Sequence, residues 1–162
     1  MTRDASFDDG AERPVFVTAT EAEGLQVISA LAQDAVFRAA EMRWQPSRRR
    51  FAVLLNRFRW EDKPAAERQG RPYERVQALL VVDDVRRVQS QGIDRADPDL
   101  VLSLLALAWE PGEEPGAAPA GRLTLTLAGD GAIALEASCL DVTLRDVSRP
   151  YLAPSGKVPS HQ

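Results

Sequence analysis

Residues 122–137 read RLTLTLAGDGAIALEA, and this stretch decides the fold class. Leu123, Leu125 and Leu127 alternate with Arg122, Thr124 and Thr126. After the turn, Ile133, Leu135 and Ala137 alternate with Ala134, Glu136 and Ser138. A period of two puts each apolar set on one face of an extended chain. Gly129-Asp130-Gly131 supplies residues that tolerate the positive φ of a tight hairpin turn. The stretch therefore predicts two antiparallel strands with a common apolar face. An isolated hairpin is marginal in water, so more strands must lie nearby in sequence.

Working back from the hairpin, Pro111 to Gly121 is a loop rich in Gly, Pro and Glu. Leu100 to Glu110 is apolar and has two readings. Asp97 followed by Pro98 is a good helix start, but the run ends in Pro111-Gly112 and leads into a hairpin, which favours a strand. Gly92 to Asp99 is a loop. Val85 to Gln91 and Tyr73 to Val82 are strands joined by the turn Asp83-Asp84. Glu61 to Pro72 is polar, contains Pro64, Gly70 and Pro72, and is expected to be a mobile loop. Phe51 to Trp60 and Phe37 to Gln45 are strands joined at Pro46 to Arg49. Further upstream, Thr20 and Glu23 form a capping-box pattern. Leu25, Ile28 and Leu31 then recur at helical spacing, predicting a helix over Glu21 to Asp34 in which Gly24 costs about 1 kcal/mol relative to alanine. Val15 to Val17 can add a short strand.

On the other side of the hairpin, Leu140, Leu144 and Val147 share a helical face, and Asp141 lies four residues before Arg145. This predicts a second helix over Cys139 to Ser148, stopped at Arg149-Pro150. The expected architecture is mainly β with flanking helices. Seven antiparallel strands form a roll or split barrel, and a C-terminal helix caps one end, as in pleckstrin-homology-like domains. The alternative is a two-layer α+β sandwich. Residues 14–150 are expected to form one domain, between a disordered acidic lead-in at 1–13 and a disordered tail at 151–162.

Composition narrows the function classes. The formal net charge is −4 with a pI of about 5.1, a balance that disfavours a nucleic-acid partner. Between Ala35 and Ser90, however, there are 13 basic and 7 acidic residues. That charge asymmetry permits self-association, or a homodimer, as well as binding to an acidic partner. No apolar run is long enough to span a membrane, and no secretory signal is recognisable. A single cysteine, Cys139, excludes an intrachain disulfide and fits a cytoplasmic protein.

The only histidine is His161, next to the C-terminal residue of the sequence. Without a histidine held by partners, Ser–His and Cys–His nucleophile pairs and the common zinc sites are not expected. No metal or cofactor is implied. Cys139 at the start of the predicted helix is either a thiol activated by the helix dipole or a small buried hydrophobe, and the second is favoured. Asp94, Asp97 and Asp99 do not match a calcium loop and are read as turn caps. The arginines remain. Arg48, Arg49 and Arg50 sit at the first hairpin, Arg57 and Arg59 along the outer edge of the next strand, and Arg43, Arg75, Arg86 and Arg87 on neighbouring strands. Trp60 and Trp44 lie close by. Together they predict a β face that grips an acidic protein or a phosphorylated ligand, making the chain a non-enzymatic binding or scaffold module. The alternatives are a histidine-independent enzyme built on Asp94, Arg95 and Asp97, and a weak nucleic-acid binder that stacks bases on Trp60.

Three stretches carry a family resemblance: Phe51 to Glu61, Gly92 to Asp99 and the strand from Val101. Over roughly Val15 to Val147 the chain resembles an alphaproteobacterial family known only as a domain of unknown function (DUF2948). The resemblance implies a bacterial cytoplasmic protein and carries no catalytic residues with it.

Overall fold

The computed structural model describes residues 13–94, 96–113 and 120–160. The chain forms β1 (Phe16–Ala19), α1 (Ala22–Leu31), β2 (Ala35–Arg38), β3 (Met42–Gln45), β4 (Arg50–Phe58), α2 (Lys63–Gln69), β5 (Glu74–Val82) and β6 (Val85–Gln91). There follow β7 (Val101–Pro111), β8 (Gly121–Leu127), β9 (Ala132–Ala137), β10 (Val142–Asp146) and β11 (Tyr151–Leu152). Short 3₁₀ turns occupy Ala39–Glu41, Pro46–Arg48 and Trp60–Asp62. All strand pairs are antiparallel, in the order β1-β10-β5-β4-β2-β7-β8-β9-β6. β3 adds to β4, and β11 adds to β5.

The mainly β class read from the hairpin holds, and β8–β9 pairs Leu123 with Leu135 and Leu125 with Ile133. All four side chains are buried, with Leu127. Leu100 to Glu110 resolves as the strand β7. It carries a register shift between Leu104 and Ala106. Beside it, the Leu107 amide leaves the ladder and donates to Ser29 Oγ on α1 at 2.9 Å. The two halves of the sheet meet at β2, which pairs with β7 over four residues but with β4 only at Val36–Asn56.

α1 begins one residue later than the capping box requires. Glu21 is the N-cap, in extended conformation, and no side chain caps the helix. The helix is held by packing instead, with Leu25 and Ile28 buried in the common core. Each contributes about 1.5–3 kcal/mol relative to an exposed side chain. Gly24 earns its place here: a Cβ at that position would lie 3.2 Å from the Cβ of Ala19. The glycine costs the helix propensity but lets it lie against β1.

The helix predicted over Cys139 to Ser148 is not present. Val142–Asp146 is β10, inserted between β1 and β5. Leu140, Val142 and Leu144 are buried, following the strand period rather than the helical one. The capping helix on which the pleckstrin-homology-like layout depended is therefore a strand, and eleven strands among the described residues take the place of seven. The predicted mobile loop Glu61 to Pro72 is also structured. It holds a 3₁₀ turn and α2, which has proline at its start and Gly70 (φ +64°) at its end, with Ala65 and Ala66 buried. Past Pro150, the chain does not leave the fold at once: Tyr151 and Leu152 pair with Arg75 and Glu74.

Candidate functional site

The ten residues proposed from the sequence divide into two groups. The first is taken up by the fold. Arg57 was expected on the outer edge of β4, but its side chain is fully buried. Its Nε and Nη2 donate to Asp146 at 3.0 and 2.9 Å, and its Nη1 and Nη2 donate to Glu61 at 2.9 and 2.7 Å. Asp146 also accepts from the Val15 amide at 2.8 Å. The pair of forks thus ties β4 to β10 and to the chain entering β1. Burial alone would lower the pKa of Arg57. The hydrogen bonds from Glu61 and Asp146 outweigh it and hold the pKa above the ordinary guanidinium value.

Arg59 is also buried, and it pairs with Glu74 and, at 3.7 Å, with Asp62. Arg71 grips the same Asp62 at 3.1 and 3.2 Å. Arg75 donates to Asn56 Oδ1 and to its carbonyl at 2.7 and 2.9 Å, and burial lowers its pKa. Arg50 pairs with Asp83 at 2.8 Å. Arg86 donates to Ser138 Oγ at 3.0 Å. Trp60 is not a stacking platform facing outward. Its Nε1 donates to the Gln33 carbonyl at 2.9 Å, and its ring packs 4.7 Å from that of Phe58. The expectation of an open arginine face is corrected for Arg57, Arg59 and Arg75: Glu61, Asp146, Asp62 and Glu74 supply counter-charge to the first two, and Asn56 takes up donors of the third. Arg50 keeps a partly exposed side chain beside Asp83, and Arg86 stays exposed.

The second group is Arg43, Arg48, Arg49 and Arg87. All four are exposed, and none has a carboxylate within ion-pair distance among the described residues. Their placement follows from three local features. Arg43 occupies an outward position of β3, whose burial alternates. Arg48 and Arg49 follow Pro46 on a 3₁₀ turn that closes with Arg49 in the left-handed region (φ 51°). The register shift between Val85 and Arg87 breaks the alternation of β6, so Arg86 and Arg87 are both exposed. The Arg49 carbonyl accepts from the Val85 amide at 2.8 Å, which pins the 3₁₀ turn to the start of β6.

Between these arginines the sheet is open. β3 pairs only with β4 and β6 only with β9 among the described strands, so each has one unpaired edge. A cleft of about 350 Å³ lies between the two strands. Met42 and Trp44 of β3, Val88 and Ser90 of β6, Ala39 and Ile93 line it; its two buried members, Phe51 and Ile133, make the floor, and its exposed members, Ala40 and Pro98, the mouth. No titratable side chain among the described residues lines it. Sequence reasoning missed this cleft because β3 and β6 lie 40 residues apart and their walls read as ordinary strand alternation. The one available signal was the break in that alternation at Arg86-Arg87.

The carboxylate-rich loop beside the cleft turns inward on its own backbone. Asp94 Oδ1 accepts from the Ala96 amide at 2.9 Å and Asp97 Oδ1 from Asp99 at 3.1 Å, as turn caps do. Arg95 and His161 lie outside the described residues. No group of His, Cys, Asp and Glu suited to a metal ion occurs among the described residues. Cys139 is not at a helix N-terminus. Its thiol donates to Asp84 Oδ2 at 3.3 Å, and burial followed by that hydrogen bond pushes its pKa up. A raised thiol pKa is the opposite of what a nucleophile needs.

The described residues define a mainly antiparallel β protein with two helices and an apolar cleft beside exposed arginines. The chain belongs to the family described as "Protein of unknown function (DUF2948)", whose profile matches residues 16–161. No curated protein and no solved structure shows a significant match. No helix among the described residues is long and apolar enough to cross a membrane.

Proposed function

We propose that the protein is a non-enzymatic binding module that engages an acidic protein surface or a phosphorylated ligand. The supporting observation is the split among the arginines. Of the nine arginines proposed from the sequence, Arg57 and Arg59 are buried among carboxylates, and Arg50, Arg75 and Arg86 have partners nearer the surface. Arg43, Arg48, Arg49 and Arg87 have no carboxylate partner among the described residues, and they lie around a cleft whose described lining is apolar apart from Ser90. A guanidinium left without an internal partner can give both members of its donor fork to a carboxylate or phosphate.

The test is a triple charge reversal, Arg43→Glu, Arg48→Glu and Arg49→Glu, assayed by fluorescence anisotropy with a labelled oligo-glutamate and a labelled phosphopeptide over a salt series. All three residues are exposed, so the thermal midpoint should stay near that of the parent chain. Binding to at least one probe should weaken by roughly tenfold or more, with a shallower salt dependence. Equal affinity of the parent and the variant for both probes at low salt would remove the proposal.

A further inference from the structure

We infer that the seam between β3 and β6 receives an extended segment of a partner protein in which apolar and acidic residues alternate. This deepens the arginine reading above and rests on it for the acidic half of the pattern. Three observations lead to it. First, the two strands that line the cleft each have one edge that no other described strand pairs; the Val85–Arg49 hydrogen bond closes one end, and the rest of such an edge can offer backbone donors and acceptors to an added strand. Folded proteins guard such edges with short strands, bulges, proline or inward charges. Here β3 is four residues long and β6 carries a bulge at its start, but the inward positions Met42, Trp44, Val88 and Ser90 hold neither charge nor proline.

Second, the floor of the seam is apolar, with Phe51 and Ile133 at its base. A strand lying in the seam would turn every second side chain onto that floor. Third, the outward positions beside the edges are Arg43 on β3 and Arg87 on β6. The other half of an entering strand's side chains would face these unpaired guanidinium groups. Period two in the ligand thus follows from an apolar floor beneath a cationic margin.

The experiment uses the full chain labelled with ¹⁵N and a synthetic acetylated peptide of alternating valine and glutamate. Amide shifts should concentrate on Met42–Gln45 and Arg87–Gln91. The same peptide N-methylated at every glutamate keeps its side chains but loses backbone donors, and should bind roughly tenfold more weakly or worse. Ala40→Trp fills the mouth of the cleft from an exposed position and should block the peptide while leaving the remaining spectrum unchanged. If the N-methylated and parent peptides bind equally, or Ala40→Trp has no effect, strand addition is overturned. The arginine reading then still stands where the triple charge reversal weakens binding, and falls where it does not. No binding at millimolar peptide also overturns the inference, as does displacement of the cleft signals by decanoate alone, which would assign the cleft to a small amphiphile.

Discussion

At the scale of single residues, the buried charge of Arg57 is held by two carboxylates, Glu61 four residues on and Asp146 89 residues away. Only the first is local, so in the sequence the alternation of Arg57 with Arg59 looks solvent-facing. The arrangement makes a sharp prediction. Arg57→Ala removes the ion pair from Asp146, whose side chain is only 4% exposed, and leaves Glu61 with Arg59 alone at 3.8 Å. The chain should lose about 3–5 kcal/mol, read from the urea midpoint. Arg57→Met combined with Asp146→Asn removes both buried charges and should recover much of that loss; a double variant as unstable as the single one would refute the ion-pair account. Cys139 gives a second residue-scale outcome. With burial and Asp84 holding its thiol pKa up, its alkylation by iodoacetamide at neutral pH should be slower than that of a cysteine in an unstructured peptide, and an equal or faster rate would restore a reactive thiol. Asp141 responds to pH. Burial, then Asp83 and Asp84, raise its carboxyl pKa above the usual aspartate range. A raised folded pKa means the folded chain binds more protons than the unfolded one, so stability falls as pH rises through that window. Asp141→Asn should flatten that part of the stability profile and be more stable than the parent at neutral pH; an unchanged slope from pH 4 to 6 would contradict it.

At the scale of elements, the sequence revealed strands where the period was two and the turn chemistry was strong. β4, β5, β8 and β9 follow this rule, and β6 follows it only past the register shift at its start. It failed at α2 and β10 for different reasons. In α2 the punctuation was present, since Pro64 near the start and Gly70 past the end are the usual helix asymmetry. The stretch between them is short and polar, and only Ala65 and Ala66 are buried, so hydrophobic periodicity was silent. Gly70 closes α2 with φ +64°, and its amide reaches toward the carbonyls of Ala66 and Glu67. Nothing lies within 4 Å of where a Cβ would be, so Gly70→Ala isolates the conformational term and should cost about 1 kcal/mol in thermal or urea unfolding. A neutral or stabilising substitution would show that the left-handed cap is not needed. In β10 the two periods competed. Leu140 and Leu144 fit a helix, while Leu140, Val142 and Leu144 fit a strand equally well. Val142 and Thr143 are β-branched and favour the strand. The strand is held by pairing with the distant β5 from Ala78 to Val82, which no local pattern records.

At the scale of the molecule, the fold is closed by partners that are far apart in sequence. β1 pairs only with β10 among the described strands, Phe16 facing Arg145, and β10 in turn pairs with β5. The Arg57 forks lie at the same end of this three-strand edge and hold Asp146 in place. Every one of these contacts requires the chain to close a long loop before any stabilisation is gained, so local helix formation cannot nucleate the structure. Refolding after dilution from urea is therefore expected in milliseconds to seconds rather than microseconds, as read by stopped-flow tryptophan fluorescence. The same topology predicts the result of truncation. A chain ending at Ser138 keeps α1 and the β6–β9 hairpins but loses β10, which leaves β1 without a partner and Arg57 without Asp146. Two consequences then reinforce each other: a strand edge opens over the buried Leu80 and Val82, and a buried guanidinium loses half of its carboxylate support. The truncated chain should show no cooperative urea transition by circular dichroism, whereas a chain ending at Ala153 should retain one close to that of the parent. A cooperative transition in the Ser138 truncation, with an undiminished m value, would mean that the second half of the sheet folds on its own and that β10 is an accessory strand rather than the closure.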